Sequence, residues 1–533
     1  DSQRVIAVEG VDMASGGDDS LSVSGGDNLL IGGSGNDVLS GGGASDWLIG
    51  DNAKVTLKVV NDLSSGATLV LKDSIHDGGD RLFGGEGNDL LLGGGGSDVL
   101  YGGSLTSGGR SGDDLLVGDY ARLDVVGTQV RELVTLPSAN GAADRLDGGD
   151  GRNVLIGGEG SDSLSTGGND SVTVASPERS ASVAIGDHGL LEWSAAGVLV
   201  SATSRLASDT AASETAAMLN TRGGDDSIRL SGGHSVVIGG VGSDLIEIVK
   251  AGDGARHVVL ADRGTLSWSD VGVLVNGDSL TPNVGGADRV AVESGSVTAL
   301  GGAGADTIEI SAASVDARHL LFGDNGSLRQ SASGVLLSAA SSATAIGGDD
   351  TLEVNAGSVT AIGGAGDDRI SITAASATSR HQLIGDNGRL QWDDTSVLRT
   401  MTSTASAVAG QDRIGVNAGR NEIVGGAGSD VITTGDQTST VLADLGRLEW
   451  NAAGHLVSVR SLAHGHGAAD SVSVGSGGNL VIGAEGDDVI TSAAGADKVA
   501  GDHAEVLFDA NGVVTSFASL HFAIGGIDTI TTG

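Results

Sequence analysis

Short runs of alternating apolar and polar residues, separated by glycine-rich turns, recur along the whole 533-residue chain. Residues 351–354, 359–362 and 369–372 alternate in the way that half-buried β-strands do. An Asn-Ala-Gly-Ser turn at 355–358 and a Gly-rich turn at 363–368 separate them. One strand plus one tight turn takes about nine residues, so two such units make one coil of a stacked solenoid. The pattern predicts an all-β chain that forms a parallel β-roll or β-helix.

The strands are grouped into a longer repeat, which we call a module. After its coil strands, each module carries two more alternating runs joined by a short link, as at 389–392 and 397–399, and such runs indicate a β-hairpin. We expect two or three coils and one protruding hairpin per module. Helical patterns are scarce, and residues 211–220 are the best candidate. The predicted modules are residues 1–78, 79–141, 142–222, 223–284, 285–346, 347–408, 409–466 and 467–524, with a truncated ninth at 525–533.

Aspartates recur at fixed places in the glycine-rich turns, in eight pairs whose members are 18 residues apart. Two nine-residue units make one coil, so each aspartate would stack on its partner in the next coil. Stacked carboxylates repel each other unless a cation lies between them. The spacing therefore predicts a solenoid filled with cations. The pairs are Asp19/Asp37, Asp80/Asp98, Asp144/Asp162, Asp226/Asp244, Asp288/Asp306, Asp350/Asp368, Asp412/Asp430 and Asp470/Asp488.

The turns follow the pattern Gly-Gly-x-Gly-x-Asp-x-(Ile/Leu)-x, which suits a metal bound by oxygen atoms alone. Glycine allows backbone angles that turn several carbonyls toward one point. Calcium accepts many carbonyl and carboxylate ligands in adaptable geometry, whereas zinc prefers His or Cys. We therefore expect several bound calcium ions. Beyond the paired aspartates, the candidate ligands in the first modules are Gly33, Gly35, Asp46, Gly85, Gly87, Asp89 and Asp114.

The first three modules differ from the later ones. Nonapeptides follow one another directly at 32–40 and 41–49, and again at 84–92 and 93–101. Both turns of a coil are then glycine-rich, which predicts cation sites on both edges of the solenoid early in the chain and mainly on one edge later. Ala44, Asn153 and Ala484 replace motif residues, and we expect weaker sites there.

These motifs resemble the calcium-binding nonapeptide repeats of the RTX family of secreted bacterial proteins. The resemblance implies a right-handed parallel β-roll that folds when calcium reaches it outside the cell. It also implies export by a one-step secretion system, and so an extracellular or cell-surface protein. The clear matches are residues 32–40, 84–92, 93–101, 157–165, 239–247, 301–309, 363–371 and 425–433.

Charge and composition exclude several functions. The net charge is −40, with 69 acidic and 29 basic residues, which argues against a nucleic-acid partner. The chain has no cysteine, so disulfides and thiolate metal sites are excluded. We find no run of 18 apolar residues and expect no membrane insertion. Neither a Gly-x-Ser-x-Gly elbow, a His-Glu-x-x-His motif nor a P-loop occurs, and we expect no enzymatic activity.

Three other recurrent features each allow more than one interpretation. His257, His319 and His381 recur every 62 residues and indicate a structural role more than a metal site. A tryptophan ends the first strand of four hairpins, where it either packs the hairpin or contacts a glycan or a neighbouring subunit; these are Trp193, Trp268, Trp392 and Trp450. A Gly-Asp step precedes each hairpin and either caps the coils or binds calcium; its aspartates are Asp51, Asp119, Asp187, Asp262, Asp324, Asp386, Asp444 and Asp502.

The sequence thus indicates an extracellular, calcium-dependent structural protein, such as a surface fibre, a biofilm matrix or an adhesin stalk. Hairpins would offer unpaired strand edges, so we expect self-association into a fibre or sheet. A cell-surface glycan is a second candidate partner. The alternatives are a passive calcium-binding segment of a larger secreted enzyme or toxin and, less well supported, a β-helical enzyme that acts on polysaccharides.

Overall fold

A computed structural model describes residues 7–9, 16–59, 62–103, 112–166, 181–205, 223–404, 410–462, 465, 467–521 and 525–533. The chain forms two compact units, Asp1–Leu274 and Val275–Gly533. The described residues form β-strands and no helix, so in these ranges no helical segment could cross a membrane. The helical candidate at 211–220 lies outside the described residues.

Each unit contains two parallel sheets, here called sheet 1 and sheet 2, and one antiparallel sheet, the hairpin sheet. In unit 1, sheet 1 contains Ser20–Ser22, Val38–Gly43, Arg81–Glu86, Val99–Tyr101, Arg145–Asp147, Ser163–Ser165, Ser227–Ser231 and Leu245–Val249. Sheet 2 contains Leu29–Ile31, Trp47–Ile49, Leu90–Leu92, Leu115–Val117, Val154–Ile156, Ala181–Ile185, His234–Gly240 and Arg256–Asp262. The hairpin sheet contains Ala7–Glu9, Ala53–Val59, Asp62–Leu71, Ala121–Val126, Gln129–Thr135, Gly189–Trp193, Leu199–Ser204 and Gly264–Trp268.

Unit 2 repeats the arrangement. Its sheet 1 contains Arg289–Val292, Thr307–Ile310, Thr351–Val354, Arg369–Ile372, Arg413–Val416, Val431–Thr434, Ser471–Val474, Val489–Ser492 and Thr529–Thr532. Sheet 2 contains Ser296–Gly302, Arg318–Asp324, Ser358–Gly364, Arg380–Asp386, Arg420–Gly426, Ser439–Asp444, Leu480–Ala484 and Lys498–Asp502. The hairpin sheet contains Leu274–Ser279, Gly326–Gln330, Leu336–Ser341, Gly388–Trp392, Leu398–Ser403, Gly446–Trp450, Leu456–Ser461, Ala504–Phe508 and Val514–Ser519.

The chain alternates between sheet 1 and sheet 2 and so winds as an all-β solenoid, as the sequence predicts. Two coils precede each hairpin: Thr351–Val354 and Arg369–Ile372 lie in sheet 1, and Ser358–Gly364 and Arg380–Asp386 lie in sheet 2. The chain then leaves for the hairpin that starts at Gly388. The module boundaries given above stay a prediction.

The aliphatic eighth residue of each nonapeptide builds the interior. Leu39, Leu82, Leu100 and Leu146 lie in register on neighbouring strands of sheet 1, and each is fully buried. Burying such a side chain contributes about 1.5–3 kcal/mol. A narrow interior of aliphatic rows, repeated coil after coil, replaces the single large core of a globular domain.

The hairpins also pair with one another, which the sequence did not indicate. Strand Leu398–Ser403 pairs with Gly388–Trp392 of its own hairpin and with Gly446–Trp450 of the next one. Leu390, Met401 and Leu448 are fully buried on the inner face of this sheet. The expectation of unpaired strand edges is therefore wrong for consecutive hairpins within each unit, because their edges are already used inside the chain.

The hairpin tryptophans lie at the ends of these strands. Trp268 and Trp450 are only 5% and 6% exposed, whereas Trp193 and Trp392 are half-buried. This burial supports the hairpin-packing interpretation for the first two. A contact with a glycan or a neighbouring subunit stays a proposal for the other two.

Candidate metal centre

The paired aspartates form one continuous ladder in each unit. The backbone N–H of Asp37 donates to Oδ1 of Asp80 at 2.7 Å, and the N–H of Asp80 donates to Oδ1 of Asp98 at 2.7 Å. The ladder thus joins successive modules as well as the two members of each pair. Its rungs in unit 1 are Asp19, Asp37, Asp80, Asp98, Asp144, Asp162, Asp226 and Asp244. Its rungs in unit 2 are Asp288, Asp306, Asp350, Asp368, Asp412, Asp430, Asp470, Asp488 and Asp528.

The second oxygen of these carboxylates is the chemically unusual one. Oδ2 is buried and accepts no hydrogen bond within the described ranges at Asp37, Asp80, Asp98, Asp144, Asp162, Asp226, Asp306, Asp350, Asp368, Asp412, Asp430, Asp470 and Asp488. A buried carboxylate oxygen without a partner is costly. The repetition of this feature in coil after coil indicates that a ligand satisfies it.

At most rungs this oxygen lies beside a glycine of the turn, where an added side chain would meet it. A Cβ added at Gly363 would lie 2.5 Å from Oδ2 of Asp368 and 2.0 Å from the carbonyl oxygen of Gly385 in the next coil. At Gly84 the corresponding distances are 2.4 Å to Oδ2 of Asp89 and 2.6 Å to the carbonyl oxygen of Gly102. A carboxylate oxygen and a carbonyl oxygen from adjacent coils thus converge on one small space. This donor set fits a hard cation such as calcium.

The other glycines predicted as carbonyl ligands lie in the same turns. Gly33, Gly35, Gly85 and Gly87 have φ angles between 112° and 125°, which side chains other than hydrogen rarely allow. Their backbone therefore has the conformation that the motif requires. Coordination by their carbonyls stays a prediction.

Unit 1 carries a second ladder on the opposite edge of the solenoid. The N–H of Asp46 donates to Oδ1 of Asp89, and the N–H of Asp89 donates to Oδ1 of Asp114, both at 2.8 Å. Asn28 and Asn153 lie at the two ends of this row. Oδ2 of Asp46 and Oδ2 of Asp89 accept no hydrogen bond in the described part of the chain. The structure thus has acidic rows on both edges early in the chain, as the sequence predicts.

The recurrent histidines lie on strands of sheet 2. In unit 1, His257 lies in register with Ser235, which pairs with Ser182, and in unit 2, His319 and His381 flank Val359 in register. Burial lowers the pKa of His319 and His381 to about 4, so both are neutral at physiological pH. Both side chains are buried and neutral, which supports a structural role for these two histidines.

Burial also shifts the carboxylates of the first ladder. It raises the pKa of Asp80 to about 8. Burial, together with the charges of Asp324 and Asp306, raises the pKa of Asp350 to about 10. Without a cation, these groups would be protonated or would repel each other at neutral pH. The electrostatics thus agree with the geometry in requiring bound positive charge.

Two aspartates of the Gly-Asp steps, Asp324 and Asp386, act as caps. Asp324 accepts hydrogen bonds from the N–H of Gly348 at 3.1 Å and from the N–H of Ala365. Asp386 accepts from Gly410 at 3.3 Å and from Ala427. Both oxygens are used, so the carboxylate ties the chain that returns from the hairpin to the next coil. The capping alternative is therefore favoured at these positions.

The substitution Gly363→Ala tests the glycine-lined space. Its Cβ would occupy the gap between Asp368 and Gly385, so we expect the calcium-loaded fold to lose about 1–3 kcal/mol. Urea unfolding at saturating calcium measures this loss. The matched control is Gly415→Ala, on strand Arg413–Val416, where an added Cβ meets nothing within 4 Å. Equal stability of the two variants would contradict the assignment.

Comparison with known families agrees with this geometry. The RTX calcium-binding nonapeptide repeat matches residues 13–52, 76–104, 138–172, 219–247, 284–309, 344–371, 407–441 and 464–502. These segments contain every rung of the first ladder except Asp528. No curated protein sequence is similar enough to the chain to count as a match. The ladders of carboxylates and glycine turns are therefore calcium-binding repeats, and the chain belongs to the RTX family of repeat proteins.

Proposed function

We propose that the protein is an extracellular structural protein, a surface fibre, matrix or adhesin stalk, that calcium stiffens. The single observation that supports this role is the repetition, on most rungs of the ladder, of a buried Oδ2 atom that accepts no hydrogen bond within the described residues. The binding chemistry is thus distributed over the length of each unit rather than gathered in one cleft. Distributed sites suit a mechanical role better than a catalytic one.

The proposed mechanism is calcium-gated stacking. Extracellular calcium modules typically bind with dissociation constants on the order of 10⁻⁴–10⁻³ M. At lower calcium the charge of −40 would keep the chain expanded. Calcium neutralises the ladders, the coils stack, and the paired hairpins tie each module to the next. Calcium outside the cell would therefore switch on the folded form.

We also propose self-association, through faces of the sheets rather than hairpin edges. In unit 2, Val431 and Val489 project outward from sheet 1 and are 43% and 48% exposed. Ser471 lies in register between them, so the row is flat and carries no charge at these three positions. Such a row suits contact with a second copy. A cell-surface glycan is the other proposed partner.

Size-exclusion chromatography and electron microscopy at zero and millimolar calcium test the proposal. We expect a loose monomer without calcium and ordered assemblies with it, and we expect Val489→Lys to weaken assembly without changing calcium-induced folding. A folded chain that stays monomeric at every calcium concentration would count against assembly. That result would favour a passive calcium-binding segment of a larger secreted enzyme or toxin.

A further inference from the structure

The modules differ at the position three residues before their first ladder aspartate. Seven of them have glycine there, and five of these glycines lie beside the carboxylate of the preceding Gly-Asp step: Gly141, Gly223, Gly347, Gly467 and Gly525. In each case an added Cβ would lie within 1.9–2.6 Å of a carboxylate oxygen of the preceding Gly-Asp step. The module that begins near residue 79 has Asp77 instead. A carboxylate therefore stands where these five modules leave no room for a side chain.

Asp77 meets the carboxylate of Asp51. The two groups are close enough to share a hydrogen bond if one of them carries a proton. Asp51 is fully buried, its Oδ2 accepts a hydrogen bond from the N–H of Gly95 at 2.6 Å, and its Oδ1 accepts none. Oδ1 of Asp77 is also buried and accepts no hydrogen bond of good geometry, although the Asn52 side chain lies close to this carboxylate. The two carboxylates are thus neighbours, and each has one buried oxygen without a well-aligned donor.

The rest of the Asp77 carboxylate is held in place. Its Oδ2 accepts hydrogen bonds from the hydroxyl of Tyr120 at 2.6 Å and from the N–H of Ser74 at 2.9 Å. Tyr120 is 1% exposed. Asp80 and Asp98, on the first ladder, add further negative charge near Asp51. Fixed, buried carboxylates in a negative environment need a counter-charge.

We propose that Asp51 and Asp77 bind an additional divalent cation of the calcium type, outside the nonapeptide motif. Asp51 Oδ1 and Asp77 Oδ1 are its carboxylate ligands. No three acidic or histidine side chains in the described ranges enclose a metal by themselves, so backbone oxygens or water complete the coordination. This site belongs to one module only, whereas the ladder sites repeat. The bound cation holds the turn at Ser74–Asp77 against Asp51, the aspartate of the preceding Gly-Asp step.

Terbium luminescence of the full chain tests the site, because Tyr120 is positioned to transfer excitation to an ion held by Asp77. Terbium stands in for calcium. We expect Tyr120→Phe to remove part of the emission excited through aromatic side chains. Asp77→Gly should remove the same part, and the double variant should lose no more than either single one. Asp77→Gly introduces the residue that seven other modules have at this position, so the fold should persist.

Two controls make the outcome decisive. Asp77→Asn keeps the side-chain size and removes the charge, and it should behave like Asp77→Gly. Asp73→Asn changes an exposed acid in the same segment and should leave the emission unchanged. The proposal is overturned if the Tyr120-dependent emission survives in Asp77→Gly, which would place the ion on the ladder. It is equally overturned if neither Asp77 variant alters terbium binding, as a carboxyl pair that merely shares a proton would require.

Discussion

Chelation of calcium at pH 8 is expected to unfold both units. The rungs of the first ladder from Asp37 to Asp244 and from Asp288 to Asp488 are all buried, and Oδ2 of most of them has no donor within the described residues. An unsatisfied buried polar group costs about 1–3 kcal/mol, and more when it is charged. Total stabilities are about 5–15 kcal/mol, so the loss of a few cations exceeds what the apolar rows can offset.

Far-ultraviolet circular dichroism during titration with a chelator measures this unfolding. We expect loss of the β signal, an increase in hydrodynamic radius, and recovery when calcium is restored. Magnesium should restore the fold poorly, because it requires a tighter octahedral shell and gives up water reluctantly. A chelated sample that keeps its β signal and its radius at pH 8 would show that the ladders are stable without metal.

Acidification is expected to have opposite effects on the metal-free and the calcium-loaded chain. The folded-state pKa values are raised, to about 7 for Asp306, about 8 for Asp80 and about 10 for Asp350. A carboxyl with a raised pKa stabilises the fold below its unfolded pKa of about 3.9, and this contribution is lost as the pH rises through the folded value. The metal-free chain should therefore be more folded near pH 4 than at pH 8.

With calcium the direction reverses, because protons compete with the cation for the same oxygens. The calcium concentration at half-folding should increase as the pH falls from 8 to 5. Parallel calcium titrations at several pH values measure both effects, and a chelator-containing series provides the metal-free control. A metal-free chain whose β content falls on acidification from pH 8 would contradict the raised pKa values.

Much of the solenoid could be predicted from periodicity. The aspartate spacing fixed the stacking of Asp19 on Asp37, and the eighth-residue rule placed Leu39 inside. Both follow from local geometry, because a strand and a tight turn have nearly constant lengths. The hydrogen bond from Asp37 to Asp80, 43 residues later, could not be predicted in the same way, because a hairpin of variable length lies between them.

Pairing between hairpins lay beyond the sequence. Nothing in the sequence of strand Leu398–Ser403 shows whether its edge is free or paired with strand Gly446–Trp450. Edge pairing uses backbone groups, which every residue has. Asp528 and Asp77 were also missed as site residues. The first opens the predicted ninth module but stands outside the eight aspartate pairs from which the site residues were chosen. The second is identified only when the fold places it against Asp51.

The ladder has a polarity. At every rung the amide belongs to the earlier aspartate and the accepting Oδ1 to the later one, as in Asp412 to Asp430 and Asp430 to Asp470. When a coil is added on the N-terminal side of a folded segment, the Oδ1 acceptor for its amide is already in place. A coil added on the C-terminal side must bring the acceptor with it. The two ends of a folded segment therefore differ: the N-terminal end offers an Oδ1 acceptor to the next coil, and the C-terminal end offers a backbone N–H donor.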